Sequence, residues 1–79
     1  MIAVEIELSR KAPRRLVAIC RGWARARHID AVYYLTAPAA VRGVYRAIAE
    51  TRAQGRITVL ALDGAPVVTR ELEELHARA

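Results

Sequence analysis

The sequence predicts a small domain of the α/β class, in which strands and helices alternate along the chain. Residues 2–8 alternate between apolar and other side chains, and residues 31–36 and 57–62 are short runs rich in β-branched and other apolar side chains. The segments between these runs repeat apolar residues at helical spacing. Strands that alternate with helices form parallel sheets with right-handed crossovers. The prediction is one βαβαβα domain over residues 1–79, with a three-stranded parallel sheet and three helices.

The first strand alternates strictly. Its apolar positions are Ile2, Val4, Ile6 and Leu8, and between them stand Ala3, Glu5 and Glu7. Alternation of this kind is typical of a strand with one buried face. We therefore expect the four apolar side chains in the core, and both glutamates on a polar side that keeps an exposed edge soluble.

A first helix is predicted over residues 13–27, because Pro13 suits the first helical position and a period near 3.6 follows it. One face collects the apolar residues Leu16, Ile19, Cys20 and Trp23, and the opposite face carries Arg14, Arg21, Arg25 and His28. Cys20 and Trp23 are therefore expected in the core. A lone cysteine in an apolar stripe indicates a small core residue and excludes an intramolecular disulfide.

The second strand, AVYYLT, is apolar on both faces and is followed by a second helix. Tyr33 and Tyr34 point to opposite sides of this strand, so one is expected in the core and the other on the second face. Pro38 can open the helix, and Gly55 is a natural stop after it. Its apolar stripe is predicted to be Val41, Val44, Tyr45 and Ile48, with Arg42 and Arg46 outside.

The third strand is predicted at residues 57–62, followed by a turn at Asp63-Gly64 and a last short helix capped by Thr69 and carrying Leu72 and Leu75. If the strand order is 1-2-3, both crossover helices cover the same face of the sheet. The last helix is too short to cover the other face. An open apolar face that meets a second copy or a partner protein is then expected, with Tyr33 and Tyr34 as interface candidates.

The charge balance indicates the class of partner. The chain has 13 basic and 8 acidic residues and a net charge of +5. Between Arg10 and Arg27 it has seven basic residues and no acid. Such a surface can neutralise phosphates, although an ordinary solvated helix face is the alternative. The candidate nucleic-acid or partner-binding residues are Arg10, Lys11, Arg14, Arg15, Arg21, Arg25, Arg42 and Arg46. No apolar run is long enough to span a membrane and no signal-peptide pattern is present, so we expect a cytoplasmic protein.

Glu5 and Glu7 are weak candidates for a metal site. Their carboxylates share one side of the strand and could approach one Mg²⁺, which prefers oxygen ligands. With no third acid beside them, the polar side of a half-exposed strand is the simpler interpretation. No cofactor is expected unless this pair binds Mg²⁺.

The segments VEIELSRKAPRRL, RARHIDAVYYLTAPAAVRGVYRAIAE and GRITVLALD resemble the C-terminal nuclease-like domain of replication-relaxation family proteins, over roughly residues 2–62. Those proteins are encoded on bacterial mobile elements and look like relatives of the PD-(D/E)xK nucleases. In that superfamily an acid and an acid-x-Lys triplet hold Mg²⁺ against the scissile phosphate. Here the triplet position matches Glu5-Ile6-Glu7, so Glu7 stands where lysine would, and the strand that would bring the other acid has no counterpart. The resemblance implies the second half of such a domain.

Three functional hypotheses follow. The first is a non-catalytic binding protein of a mobile genetic element that acts on nucleic acid or a nucleoprotein complex through its arginine-rich helix. The second is a stoichiometric protein inhibitor of a host defence complex, of the anti-CRISPR kind. The third is a metal-dependent nuclease completed by dimerisation, with carboxylates from two copies.

Overall fold

The computed structural model describes residues 1–67 and shows an α/β fold with a three-stranded parallel sheet in the order β1-β2-β3. The strands are β1 (Ile2–Glu7), β2 (Ala31–Thr36) and β3 (Ile57–Ala61). The helices are α1 (Pro13–Arg25) and α2 (Val41–Thr51), and a short 3₁₀ turn, Pro38–Ala40, leads into α2. Within this part of the chain the α-helices number two and not the predicted three. The helix predicted after Thr69 lies outside the described residues.

Both helices cover the same face of the sheet, as the strand order predicts. The core combines Leu16 and Cys20 from α1, Val44 and Ile48 from α2, and alternate residues of β2 and β3, namely Val32, Tyr34, Ile57 and Val59. The helices pack closely at Gly43, where an added Cβ would lie 3.1 Å from Leu16 Cδ1. The predicted apolar stripes of both helices are therefore the buried ones, with Tyr45 half-buried at the margin.

The end of α2 differs from the expectation. The chain leaves the helix at Arg52, which adopts a left-handed conformation with φ 56°, whereas Gly55 lies three residues further on. The Arg52 N–H donates to the carbonyls of Ala49 and Ile48, and this closes the last turn. Backbone hydrogen bonding thus ends the helix before the glycine is reached.

The orientation of β1 is the reverse of the predicted one. Glu7 is buried at 3 % exposure, whereas Ile2, Val4 and Ile6 are 59 %, 57 % and 57 % exposed. The reason is the register: Glu5 lies beside Tyr34 and Glu7 beside Thr36, and this row faces the helices. Strict alternation divides a strand into two faces correctly, but the helices here cover the face that carries the glutamates.

Candidate nucleic-acid interface

Three arginines lie along the solvent-facing side of α1. Arg14, Arg21 and Arg25, which we call the arginine row, are all exposed, while Leu16 and Cys20 on the opposite side are buried. Arg21 and Arg25 lie about two and three helical turns beyond Arg14, so the three side chains leave the helix in nearly the same direction. Arg15 is exposed as well, to one side of the row.

The other predicted basic residues form a separate group. Arg10, Lys11, Arg42 and Arg46 line a cleft of about 1310 Å³ beyond the carboxyl ends of the strands. Arg10 and Lys11 come from the loop between β1 and α1, and the other two lie on α2. The structure thus divides the eight candidate binding residues between the cleft and the outer side of α1.

Most of these cations have no carboxylate partner. Within residues 1–67 there are two ion pairs: the N-terminal ammonium with Asp30, and Lys11 with Glu7. The arginine row and Arg10, Arg42 and Arg46 are in neither. These arginines are exposed and outside any ion pair of the described chain, so their N–H donors can contact an anion.

Glu7 is the buried acceptor of a polar cluster beneath α1. Its Oε1 accepts hydrogen bonds from the Tyr34 hydroxyl at 2.9 Å and from Lys11 Nζ at 3.0 Å, and its Oε2 lies 2.8 Å from the same ammonium. The neighbouring Glu5 accepts a hydrogen bond from Trp23 Nε1 at 2.9 Å. The expectation that both glutamates form the solvent-facing side of an edge strand is therefore wrong, because each one finds a donor on the helix side.

This arrangement bears on the metal hypothesis. Both carboxylates already accept protein hydrogen bonds, and Lys11 places a positive charge where a cation would bind. In the part of the chain that the structure describes, no group of three or more His, Cys, Asp or Glu side chains could hold a metal ion. The geometry thus adds no support to a nuclease site at Glu5 and Glu7.

Trp23 and Lys11 have roles that the sequence did not reveal. Trp23 is partly buried against the core, as expected, but its indole N–H also holds Glu5. Lys11 was predicted to meet a partner anion and instead neutralises Glu7. The signal was the i, i+4 spacing of Glu7 and Lys11, which becomes informative only once Glu7 is known to face inward.

The pKa values of two groups in this buried region, Cys20 and Tyr34, are raised. Burial raises the pKa of the Cys20 thiol to about 11, and the nearby Glu5 carboxylate adds to this shift. Burial also raises the pKa of the Tyr34 phenol, which the hydrogen bond to Glu7 raises further. Both groups therefore stay protonated in the folded protein well above neutral pH. Cys20 is accordingly a core residue and not an activated nucleophile.

We expect the protein to lose stability as the pH rises above about 9. The unfolded chain releases the Cys20 and Tyr34 protons near their ordinary pKa values of 9.0 and 10.0, whereas the folded chain retains them. The unfolded state then binds fewer protons, so the stabilisation is complete below the ordinary values and is lost above them. Urea midpoints measured across the alkaline range should fall for the wild type and fall less for Tyr34→Phe. A wild-type urea midpoint that does not change with pH would contradict the raised pKa values.

The sheet face opposite the helices is apolar and uncovered by the described residues. We call it the open face; its side chains are those of Ile2, Val4, Ile6, Ala31, Tyr33, Leu35, Thr58 and Leu60. None of these residues is charged. Among the described residues the expected open face is thus present, and it extends across β1 as well as β2 and β3.

The two interface candidates lie on different faces. Tyr33 stands in the middle of the open face, between Val4 and Thr58. Tyr34 is fully buried beneath the helices, so its proposed role as an interface residue is wrong. The side chain belongs to the core because β2 directs it toward α1, where Glu7 binds its hydroxyl.

No helix within residues 1–67 is long and apolar enough to cross a membrane. Comparisons with protein-family models, with curated proteins and with solved structures find no match for this chain.

Proposed function

We propose that the protein is a non-catalytic binding protein of a mobile genetic element, and that it binds nucleic acid, alone or in a nucleoprotein complex, through the arginine row. The observation that carries the proposal is the row itself. Three exposed guanidinium groups lie along one side of α1 without a carboxylate partner in the described chain. Arginine is suited to this role because its planar fork binds phosphate oxygens in pairs.

The dimensions of the row fit a phosphate backbone. From Arg14 to Arg25 the helix rises about 16 Å, at 1.5 Å per residue. Successive phosphates along one strand advance roughly 3.4 Å along the axis of a duplex, so the row extends past several of them. The net charge of +5 adds long-range attraction toward any polyanion.

Helix stability does not explain the arginines near the start of α1. The first turn has no acidic residue, while Arg14 and Arg15 lie in it. The helix dipole places partial positive charge at this end, so cations there are unfavourable. A bound polyanion would offset that repulsion. The resemblance of residues 2–62 to a nuclease-like domain of mobile-element proteins also supports a nucleic-acid partner.

The direct test is a fluorescence anisotropy titration of labelled duplex DNA at several salt concentrations. If the row neutralises three phosphates, the slope of log K against log salt should be roughly −3, at about −0.9 per phosphate. Glu5→Ala should leave the affinity unchanged, because Glu5 faces the core. The absence of binding at low salt would contradict the proposal.

The open face favours a second candidate function, a stoichiometric inhibitor of a host defence complex that docks through an apolar surface. Uncharged apolar faces of this extent on small soluble domains mark contact sites with other proteins. A 1:1 complex with such a target, together with no affinity for free DNA, would favour this function over the first.

When no such target is present, we propose that a second copy of the chain covers the open face. The face has no charge to match a charged partner, and every arginine of the row lies on the helix side of the sheet. Stacking two open faces therefore keeps both rows on the outside, away from each other. Tyr33 has the small side chains of Ala31 and Thr58 beside it on this face, which leaves room for the Tyr33 ring of a second copy.

We expect Val4→Lys to shift the protein toward the monomer in light scattering coupled to size exclusion. The new charge would lie beside Tyr33 within the stacked faces, where burying it unpaired is costly. Ala18→Lys is the matched control, because Ala18 is exposed on the outer side of α1. A wild type that remains monomeric at high concentration would contradict the dimer and leave the face available to a different protein.

A further inference from the structure

The cleft at the carboxyl edge of the sheet is separate from the arginine row and has its own chemistry. It is lined by the ends of β2 and β3, by the loop before α1 and the first turns of α1, and by the 3₁₀ turn and one side of α2. Open parallel sheets bind ligands in this position, beyond the carboxyl ends of their strands. The volume of about 1310 Å³ exceeds the size of a typical small-molecule site.

The cleft offers unpaired positive charge. Arg10, Arg42 and Arg46 line it and have no carboxylate partner within residues 1–67. Arg42 and Arg46 are one turn apart on α2, so both guanidinium groups can approach one anion. Lys11 also lines the cleft, but its charge is neutralised by Glu7.

Two acids at the margin do not cancel this charge. Glu50 also lines the cleft, one turn beyond Arg46 and close to the C-terminal end of α2. Asp63 accepts a hydrogen bond from the Ala65 N–H at 2.9 Å and so stabilises its own turn. Among the described residues, three guanidinium groups outside any ion pair and these two carboxylates leave the lining net positive, with the arginines contributed by two different elements.

Much of the remaining wall is apolar. Pro38, Val41, Leu62, Pro66 and Val67 contribute aliphatic surface beside the arginines. Walls of this kind bury the body of a ligand, whereas the cations orient its charged group. The ligand that fits both features has a compact anion at one end and an apolar or aromatic ring at the other.

We propose that this cleft binds a phosphate monoester carried on an aromatic body, which is the chemistry of a nucleotide or of the 5′-phosphorylated end of a nucleic-acid strand. Arg42 and Arg46 bind the phosphate oxygens, and Arg10 approaches from the opposite wall. The apolar residues contact the base or sugar. Binding in the cleft does not involve the arginine row. The proposal therefore stands or fails independently of whether the protein binds duplex DNA.

The test is calorimetric titration with adenosine monophosphate, adenosine and inorganic phosphate. Arg42→Gln/Arg46→Gln is compared with Arg21→Gln/Arg25→Gln, which removes the same charge from the row. We expect adenosine monophosphate to bind more tightly than either fragment. Its affinity should fall at least about tenfold in the cleft variant, because two charge-assisted contacts are lost, and should change less than about twofold in the row variant.

Short single strands with and without a 5′-phosphate identify the source of the ligand. Tighter binding of the phosphorylated strand than of the mononucleotide assigns the site to strand ends, and the opposite order assigns it to free nucleotides. Equal affinity for adenosine and its monophosphate would overturn the proposal. Equal losses of adenosine monophosphate affinity in the two double variants would also overturn it. The same holds if millimolar nucleotide produces no heat of binding and no change in the amide chemical shifts of Arg10 and Ala39.

Discussion

Glu7→Ala is expected to lower the free energy of unfolding by about 3 kcal/mol, since it leaves a buried hydroxyl and a partly buried ammonium without their acceptor. Glu7 is 3 % exposed and receives both the Tyr34 hydroxyl and the Lys11 ammonium. The truncation also opens a void between β1 and α1. For a small domain with roughly 5 to 15 kcal/mol of total stability, the loss is large.

Urea denaturation at neutral pH measures this effect, and two further variants separate its causes. Glu7→Gln keeps an oxygen that can accept from Tyr34, so its loss should be about 1 kcal/mol. In Glu7→Ala/Tyr34→Phe the orphaned hydroxyl is gone, so the double variant should be less destabilised than the sum of the single ones. Glu50→Ala, an exposed glutamate on α2, serves as the control. A Glu7→Ala protein as stable as this control would contradict the buried cluster.

Arg14→Gln/Arg21→Gln is expected to weaken duplex binding about tenfold to a hundredfold at low salt and to reduce the salt slope by about 2. Each arginine of the row is assigned to phosphates, so its removal should act on affinity without changing sequence preference. The fold should tolerate the change, because both side chains are exposed. Removing Arg14 even relieves an unfavourable charge in the first turn of α1.

The control for this variant removes the same charge from another place. Arg27→Gln/Arg52→Gln changes two exposed arginines that follow the C-terminal ends of the two helices. A non-specific effect of net charge would weaken binding equally in both double variants. Binding that depends on the row should fall only in the first, as measured by anisotropy at matched salt concentrations.

The fold was largely predictable because its elements are local. Pro13 fixed the start of α1, and the positions of Leu16, Cys20, Val44 and Ile48 gave the buried faces of both helices. The order 1-2-3 was a condition in the sequence analysis, because right-handed crossovers allow other orders as well; the observed order meets that condition, and the open face follows from it. The end of α2 was not predictable in this way, since it depends on the hydrogen bonds of the Arg52 N–H.

The alternating pattern alone could not predict the orientation of β1. The pattern separates Ile2, Val4 and Ile6 from the glutamates, but it does not state which set faces the helices. That choice depends on donors distant in sequence: the Trp23 indole for Glu5 and the Tyr34 hydroxyl for Glu7. Carboxylates with such partners can be buried, whereas carboxylates without them cannot.

The sequence was enough to identify the basic residues, but their division between the outer side of α1 and the cleft depends on the three-dimensional fold. Arg14, Arg21 and Arg25 share a helix face by spacing alone. Arg10 and Arg42 are far apart in sequence, and they meet around one cleft because the parallel sheet brings the starts of both helices to its carboxyl edge.

The central claim of the proposal is that the two faces of the sheet differ in function. The side covered by the helices binds nucleic acid, and the open face does not. Amide chemical shifts of the labelled protein, recorded while duplex DNA is added at low salt, test it most directly. The account predicts shifts along the outer side of α1, at Arg14, Arg21 and Arg25, and unchanged signals at Val4 and Tyr33 on the open face. Shifts confined to the open face, with α1 unaffected, would contradict it.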